Sequence, residues 1–168
     1  MTERLARRGV PVVTEYVVDH LSQVFARDRL NREVVTLPAD QSLVETREWL
    51  DQGAGGATHQ GFPIVDPDGR VLGVLTRRDL LAGTESETRR LRELIHRPLV
   101  AVYEKSSLRE VADLMVRERV GRVPVISSDG RRRLLGILSR SDLLAAHERR
   151  LDARRRAEPT IRFPFGVS

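Results

Sequence analysis

Four short boxes carry most of the ordered polar chemistry of this chain: Ser42-x-x-Glu45, Thr76-x-x-Asp79, Ser107-x-x-Glu110 and Ser139-x-x-Asp142. Each sets a hydroxyl three residues ahead of a carboxylate, the spacing at which the two close reciprocally over the first turn of a helix. An acidic group there also suits the positive end of the helix dipole. Other chemistries fail on residue type or spacing. His20, His59, His96 and His147 share no ligand spacing, so no metal is expected. The absence of cysteine excludes disulfides, thiolate metal sites and cysteine nucleophiles. Gly53-Ala54-Gly55-Gly56 does not complete Gly-x-Gly-x-x-Gly and follows a helical pattern where a strand is required. Neither a nucleophile elbow nor a paired-carboxylate motif is present, so nothing points to catalysis.

The elements that position these boxes come in two copies. Ser42-Leu43-Val44-Glu45 matches Ser107-Leu108-Arg109-Glu110, and Phe62-Pro63-Ile64-Val65 matches Val123-Pro124-Val125-Ile126. Asp68-Gly69 matches Asp129-Gly130. Leu72-Gly73-Val74-Leu75-Thr76 matches Leu135-Gly136-Ile137-Leu138-Ser139, and Asp79-Leu80-Leu81 matches Asp142-Leu143-Leu144. Five blocks in one order define a duplicated unit. Its copies differ by extra residues in the Gly53–Thr58 loop of the first and the Arg131–Arg133 hairpin of the second.

Within each copy, the Ser-x-x-Glu box opens a helix. Its apolar face is Leu108, Val111, Ala112 and Met115 in the second copy, and Leu43, Trp49 and Leu50 in the first. Two short apolar runs joined by Asp-Gly then read as a hairpin, and a second box opens a second helix. With leading strands at Val34–Leu37 and Leu99–Val102, the unit is β-α-β-β-α, an α/β (α+β) fold. Thr14–Arg27 is expected to be helical, as is Glu87–Ile95. The last helix should reach about Arg156, with Glu158–Ser168 as an irregular tail.

Composition narrows the class. The 168 residues are 40% hydrophobic and 32% charged, a globular balance. The net charge of +5 rests on 29 basic residues, of which only Lys105 is a lysine. Aromatic residues, at 4%, are too few for the stacking platforms of single-stranded nucleic-acid binders. The scattered arginines argue against a specific nucleic-acid partner, despite a pI of 10.7. No apolar run approaches the ~20 residues of a membrane span, and no signal peptide is expected at the N-terminus. Arg149-Arg150 and Arg154-Arg155-Arg156 form a basic cluster suited to a helix C-terminus and to solvent. Beneath a membrane it would instead face anionic headgroups.

Gly-Phe-Pro-Ile-Val-Asp…Asp-Gly…Leu-Gly-Val-Leu-Thr-Arg-Arg-Asp-Leu-Leu resembles a cystathionine-β-synthase (CBS) domain, and its recurrence resembles a CBS pair, or Bateman module, over roughly residues 31–147. The resemblance implies two CBS repeats packed with pseudo-twofold symmetry. The boundaries expected are 1–30 for a linker and helix, 31–84 and 98–147 for the repeats, 85–97 for a linker helix and 148–168 for a basic tail. His59-Gln60-Gly61-Phe62-Pro63, Arg97-Pro98, Val102-Tyr103-Glu104 and Val120-Gly121-Arg122-Val123-Pro124 are similar to the cytosolic pair of bacterial chloride-channel (ClC) family proteins. Thr2–Gly9 is similar to the segment after their last membrane helix.

The family implies a regulatory adenosine nucleotide (ATP, ADP or AMP) in clefts between the repeats, with the Asp of the second box taking the ribose. A carboxylate accepts hydrogen bonds from both ribose hydroxyls. The same box is also an ordinary helix cap, and both readings stand. One implied site joins Asp142 and Ser139 to His59, Gln60, Gly61 and the backbone near Val35 and Thr36. His59 occupies the place of a base-stacking aromatic, or is simply a surface loop residue. The mirror site joins Asp79 and Thr76 to Gly121 and Arg122, where Arg122 meets a phosphate or stays solvated.

The function implied is a non-catalytic, cytoplasmic, homodimeric module that modulates an attached ClC chloride channel or transporter near the membrane surface. The rival readings are a purely structural dimerisation module with empty clefts, and a stand-alone CBS-pair protein.

Overall fold

All four boxes close as helix caps in the computed structural model, which describes residues 19–53, 55–83 and 88–157. In each, the carboxylate accepts from the backbone N–H and hydroxyl of the cap residue at 2.6–3.0 Å. The helices that follow are α2 (Leu43–Asp51), α3 (Arg77–Leu81), α4 (Leu108–Arg117) and α5 (Arg140–Ala157). The strands are β1 (Leu37–Pro38), β2 (Gly61–Val65) and β3 (Val71–Thr76) in the first repeat. Their counterparts in the second are β4 (Val102–Tyr103), β5 (Arg122–Ile126) and β6 (Leu134–Ser139). Each repeat holds one three-stranded sheet, ordered β1-β2-β3 or β4-β5-β6, with a parallel first pair and an antiparallel hairpin. Gly69 and Gly130 turn the hairpins at φ of 76° and 79°, a conformation that glycine adopts without strain.

Alternation of burial along β3 and the apolar faces of α2 and α4 build one core per repeat. In α4 the buried face is Leu108, Val111 and Met115, and in α2 it is Leu43, Thr46 and Leu50. Thr46, absent from the expected face, satisfies its buried hydroxyl on the Ser42 carbonyl one turn back, at 2.9 Å. Trp49 is half-buried and meets Phe62 edge-on, with ring centres 5.7 Å apart.

The lead-in segments are exchanged. The turn Leu91–Leu94, which precedes the second repeat, buries Leu91 and Leu94 in the first repeat's core. The turn Ala26–Asp28, which precedes the first repeat, buries Ala26 in the second repeat's core, with Leu21, Val24 and Leu30 packed alongside. Backbone bonds fix both crossings. Ala26 N–H donates to Ser106 and Leu108 N–H to Val24, each at 2.8 Å, while Leu91 N–H donates to Gln41 at 3.0 Å.

This exchange explains where the expected elements differ. Thr14–Arg27 is not one helix. Its residues 14–18 lie outside the described residues, α1 (His20–Gln23) is a single turn, and Val24 and Phe25 are extended because Phe25 bridges Ser107. The expected helix Glu87–Ile95 reduces to a 3-10 turn, pinned by a bridge between Ser42 and Arg90; Glu87 lies outside the described residues. Only the last residue of each expected leading strand is in a ladder, because the residues before it cross between the two sheets. Thr2–Gly9 and Glu158–Ser168 also lie outside the described residues.

Candidate functional site

Gly136 admits the crossing that shapes the site. A Cβ at this position would stand 2.4 Å from the Asn31 carbonyl oxygen and 2.3 Å from Leu30 Cδ1. With only hydrogen there, Asn31 lies flat against β6 and exchanges two 2.9 Å bonds with Ile137. The next five residues then pass over the start of α5 before the chain joins β2 at Leu37.

Beneath that span lies a hollow of about 190 Å³. The second repeat contributes Ser139 and Asp142 from the start of α5, Ile137 from β6 and Arg122 from β5. The first contributes Asn31, Glu33, Val34 and Val35 from the span, and His59 and Gly61 at the start of β2. Gly56 (φ 89°) packs so tightly on Val35 that a Cβ would fall 2.3 Å from its Cγ2, which fixes the wall carrying His59.

Asp142 is half-buried. Its Oδ2 accepts from the Ser139 N–H and hydroxyl, both at 2.7 Å, and Oδ1 has no partner among the described residues. The carboxylate can therefore cap its helix and still accept from a second molecule. Neither Val35 nor Thr36 makes a backbone hydrogen bond to the described protein, which leaves a polar edge on the span. Arg122 is exposed and forms no ion pair among the described residues. Arg140, by contrast, is spent on the Val120 carbonyl at 3.4 Å.

The arrangement brings Asp142, Ser139, His59, Gly61 and Val35 to one hollow. Arg122, grouped in sequence with Asp79, lines the Asp142 hollow instead, because the start of β5 pairs with Ser139. Gln60 sits beside the hollow without lining it; its carbonyl accepts from Arg77 N–H at 3.1 Å. Thr36 lines a second hollow on the far side of the span. Asp79, Thr76 and Gly121 line neither, and Asp79 is exposed with its box fully formed. Asn31, Glu33, Val34 and Ile137 join the lining in addition to the residues expected from sequence. Their place follows from the Asn31–Ile137 bridge, which has no local signature. Among the described residues no cluster of three or more His, Asp or Glu stands close enough to hold a metal ion. No described helix is long and apolar enough to cross a membrane.

The sequence pattern of the CBS domain matches residues 26–84 and 91–149. Hypoxic response protein 1 of Mycobacterium tuberculosis is 31% identical over 123 residues, covering 70% of this chain and 81% of that protein. Its crystal structure, with two coordinated zinc ions, superposes on 73% of this chain at a TM-score of 0.59. Inosine-5'-monophosphate dehydrogenase of Methanocaldococcus jannaschii is 27% identical over 67% of this chain, which spans only 21% of that enzyme. The cytosolic domain of the Mg2+ channel MgtE, solved in complex with ATP, is 28% identical at a TM-score of 0.63, covering 76% of this chain and 52% of that one. Two matched repeats and two duplicated sheets lead to a single assignment: the chain belongs to the CBS-domain family, as a tandem pair.

Proposed function

We propose that this pair is a non-catalytic regulatory module that binds an adenosine nucleotide in the Asp142 hollow. The observation that carries the reading is the carboxylate of Asp142, half-buried between the repeats with one oxygen unpartnered among the described residues. Asp142 takes the ribose hydroxyls, a charge-assisted contact that water competes for poorly in a cleft. The free backbone edge at Val35 and Thr36 meets the adenine, and His59 lies against the base. The N-terminus of α5 and Arg122 favour phosphate at the mouth. The hollow is smaller than the ~300 Å³ at which ordinary small-molecule pockets begin, so the phosphates project outward. Thr76 and Asp79 act as a helix cap, and Gly121 accepts from the Arg140 N–H at the start of α5, so these three are not taken as a second nucleotide site. The ATP-bound Mg2+-channel domain supports the ligand class.

Coupling of this kind is typically ~1–3 kcal/mol, enough to bias an attached protein. We take that target to be a transport domain. The ClC chloride-channel attachment suggested by the motifs is one form of it, although the membrane relative described above is a Mg2+ channel. A stand-alone pair is the second reading, favoured by a relative of which the match covers 81%. Either form is proposed to act as a homodimer. Isothermal titration with ATP, ADP, AMP and S-adenosylmethionine tests the ligand claim. Saturable heat from at least one is expected, and none at millimolar ligand removes it.

A further inference from the structure

The span that roofs the Asp142 hollow has a second face. On that side, between the span and β6, lies a wedge of about 290 Å³, lined by Arg32, Val34, Thr36 and Val65 and by Leu134–Gly136. It opens because Asn31 is bonded to β6 while Leu37 is bonded to β2, so the intervening chain leaves one sheet edge for another.

Leu135 shapes the base of the wedge. The β5–β6 register passes from Val125↔Gly136 to Ile126↔Leu134, so Leu135 is the extra residue of a β-bulge and has no cross-strand partner. Its counterpart Leu72, the bulge residue of the first hairpin, packs against the first core. Leu135 lines the open wedge instead. At the rim, Arg32 is exposed and forms no ion pair, and the Thr36 hydroxyl has no hydrogen-bond partner, among the described residues.

We propose that this wedge is a second ligand site, separate from the Asp142 hollow, for a small amphipathic anion: an apolar ring or branched chain bearing a carboxylate, sulfonate or phosphate. The apolar body packs on Val34, Val65, Leu134 and Leu135. The anion pairs with the planar guanidinium of Arg32, which suits oxyanions bidentately. The Thr36 hydroxyl supplies a further polar contact that orients the ligand. The inference does not depend on nucleotide binding.

The probe is 8-anilinonaphthalene-1-sulfonate, an aromatic anion of suitable size, titrated into the full chain under native conditions and followed by fluorescence. One saturable site per chain is expected. Arg32→Gln, a surface change, should weaken the dissociation constant at least tenfold with an unchanged melting temperature. Val65→Phe, which fills the wedge, should abolish the signal. Saturating AMP should leave the probe bound. No saturable signal, an unchanged constant in Arg32→Gln, or one-for-one displacement by AMP overturns the proposal. Absence of AMP binding, by contrast, bears only on the nucleotide reading.

Discussion

The ends of the two repeats carry the same box in different surroundings. Thr76–Asp79 and Ser139–Asp142 close with near-identical bonds, yet Asp79 is exposed while Asp142 is half-buried beside a hollow. The difference arises in what passes overhead. The Asn31–Ile137 bridge draws the first lead-in across the start of α5, whereas no bridge joins His96 to Val74 among the described residues. The box alone specifies a helix start. A binding site requires a second strand of chain held above it.

The largest effect is expected where the lead-ins themselves differ. Leu91 is fully buried in the first core, and its counterpart in the second is the much smaller Ala26. Leu91→Ala should cost about 2–5 kcal/mol, read from the urea midpoint. A loss under about 1 kcal/mol would show that the exchanged turn contributes little. Asp142→Ala should weaken nucleotide binding roughly ten- to hundredfold, the worth of one charged hydrogen bond. Asp79→Ala should leave affinity unchanged, while both lose about 0.3–1 kcal/mol of helix-end stability. Equal losses of affinity would restore Asp79 as a contact.

Glycine substitutions separate the two crossings next. Gly136→Ala meets the Asn31 backbone oxygen and should cost about 1–3 kcal/mol together with nucleotide binding. The three atoms nearest to the new Cβ of Gly73→Ala all belong to the Ile95 side chain, with Cγ2 at 2.6 Å, and that side chain can rotate, so the cost falls at the low end of that range. The reverse order would mean that the Asn31 bridge is the softer of the two.

The smallest effect concerns the first boxes. The Ser42 hydroxyl and backbone hold Glu45 below its usual range, with help from Arg90, and the Ser107 backbone and hydroxyl do the same for Glu110. Carboxylates lowered in this way stabilise the fold above their unfolded pKa, and the benefit fades as pH falls through the folded value. Glu45→Gln and Glu110→Gln should each flatten the acid limb of a melting-temperature profile. Salt should diminish the Glu45 contribution more, since only that group has the arginine.

The duplication, the hairpins and the boxes were legible because each is a local pattern of hydroxyl, carboxylate, glycine and alternating apolar residues. Asp142, Ser139, His59 and Gly61 ride on those local elements, and the structure brings them to one hollow. What escaped is set by the opposite repeat. Val24 and Phe25 fall within a helical periodicity but take their backbone partners from Ser106–Leu108. Arg122, expected beside Asp79, lines the hollow of Asp142 because strand pairing sets it opposite Ser139. Thr46 was passed over because a polar residue at an apolar position is invisible to periodicity until its bond to Ser42 is seen.

The exchanged lead-ins also bear on how the protein comes apart. Each half lends the other the turn that seals its interior, so neither is an autonomous folding unit. Cutting the chain between them would leave two fragments, each with an open core and each holding its neighbour's plug. Denaturation should accordingly show one concerted transition, with amide exchange in β2 and β5 slowing to the same limit.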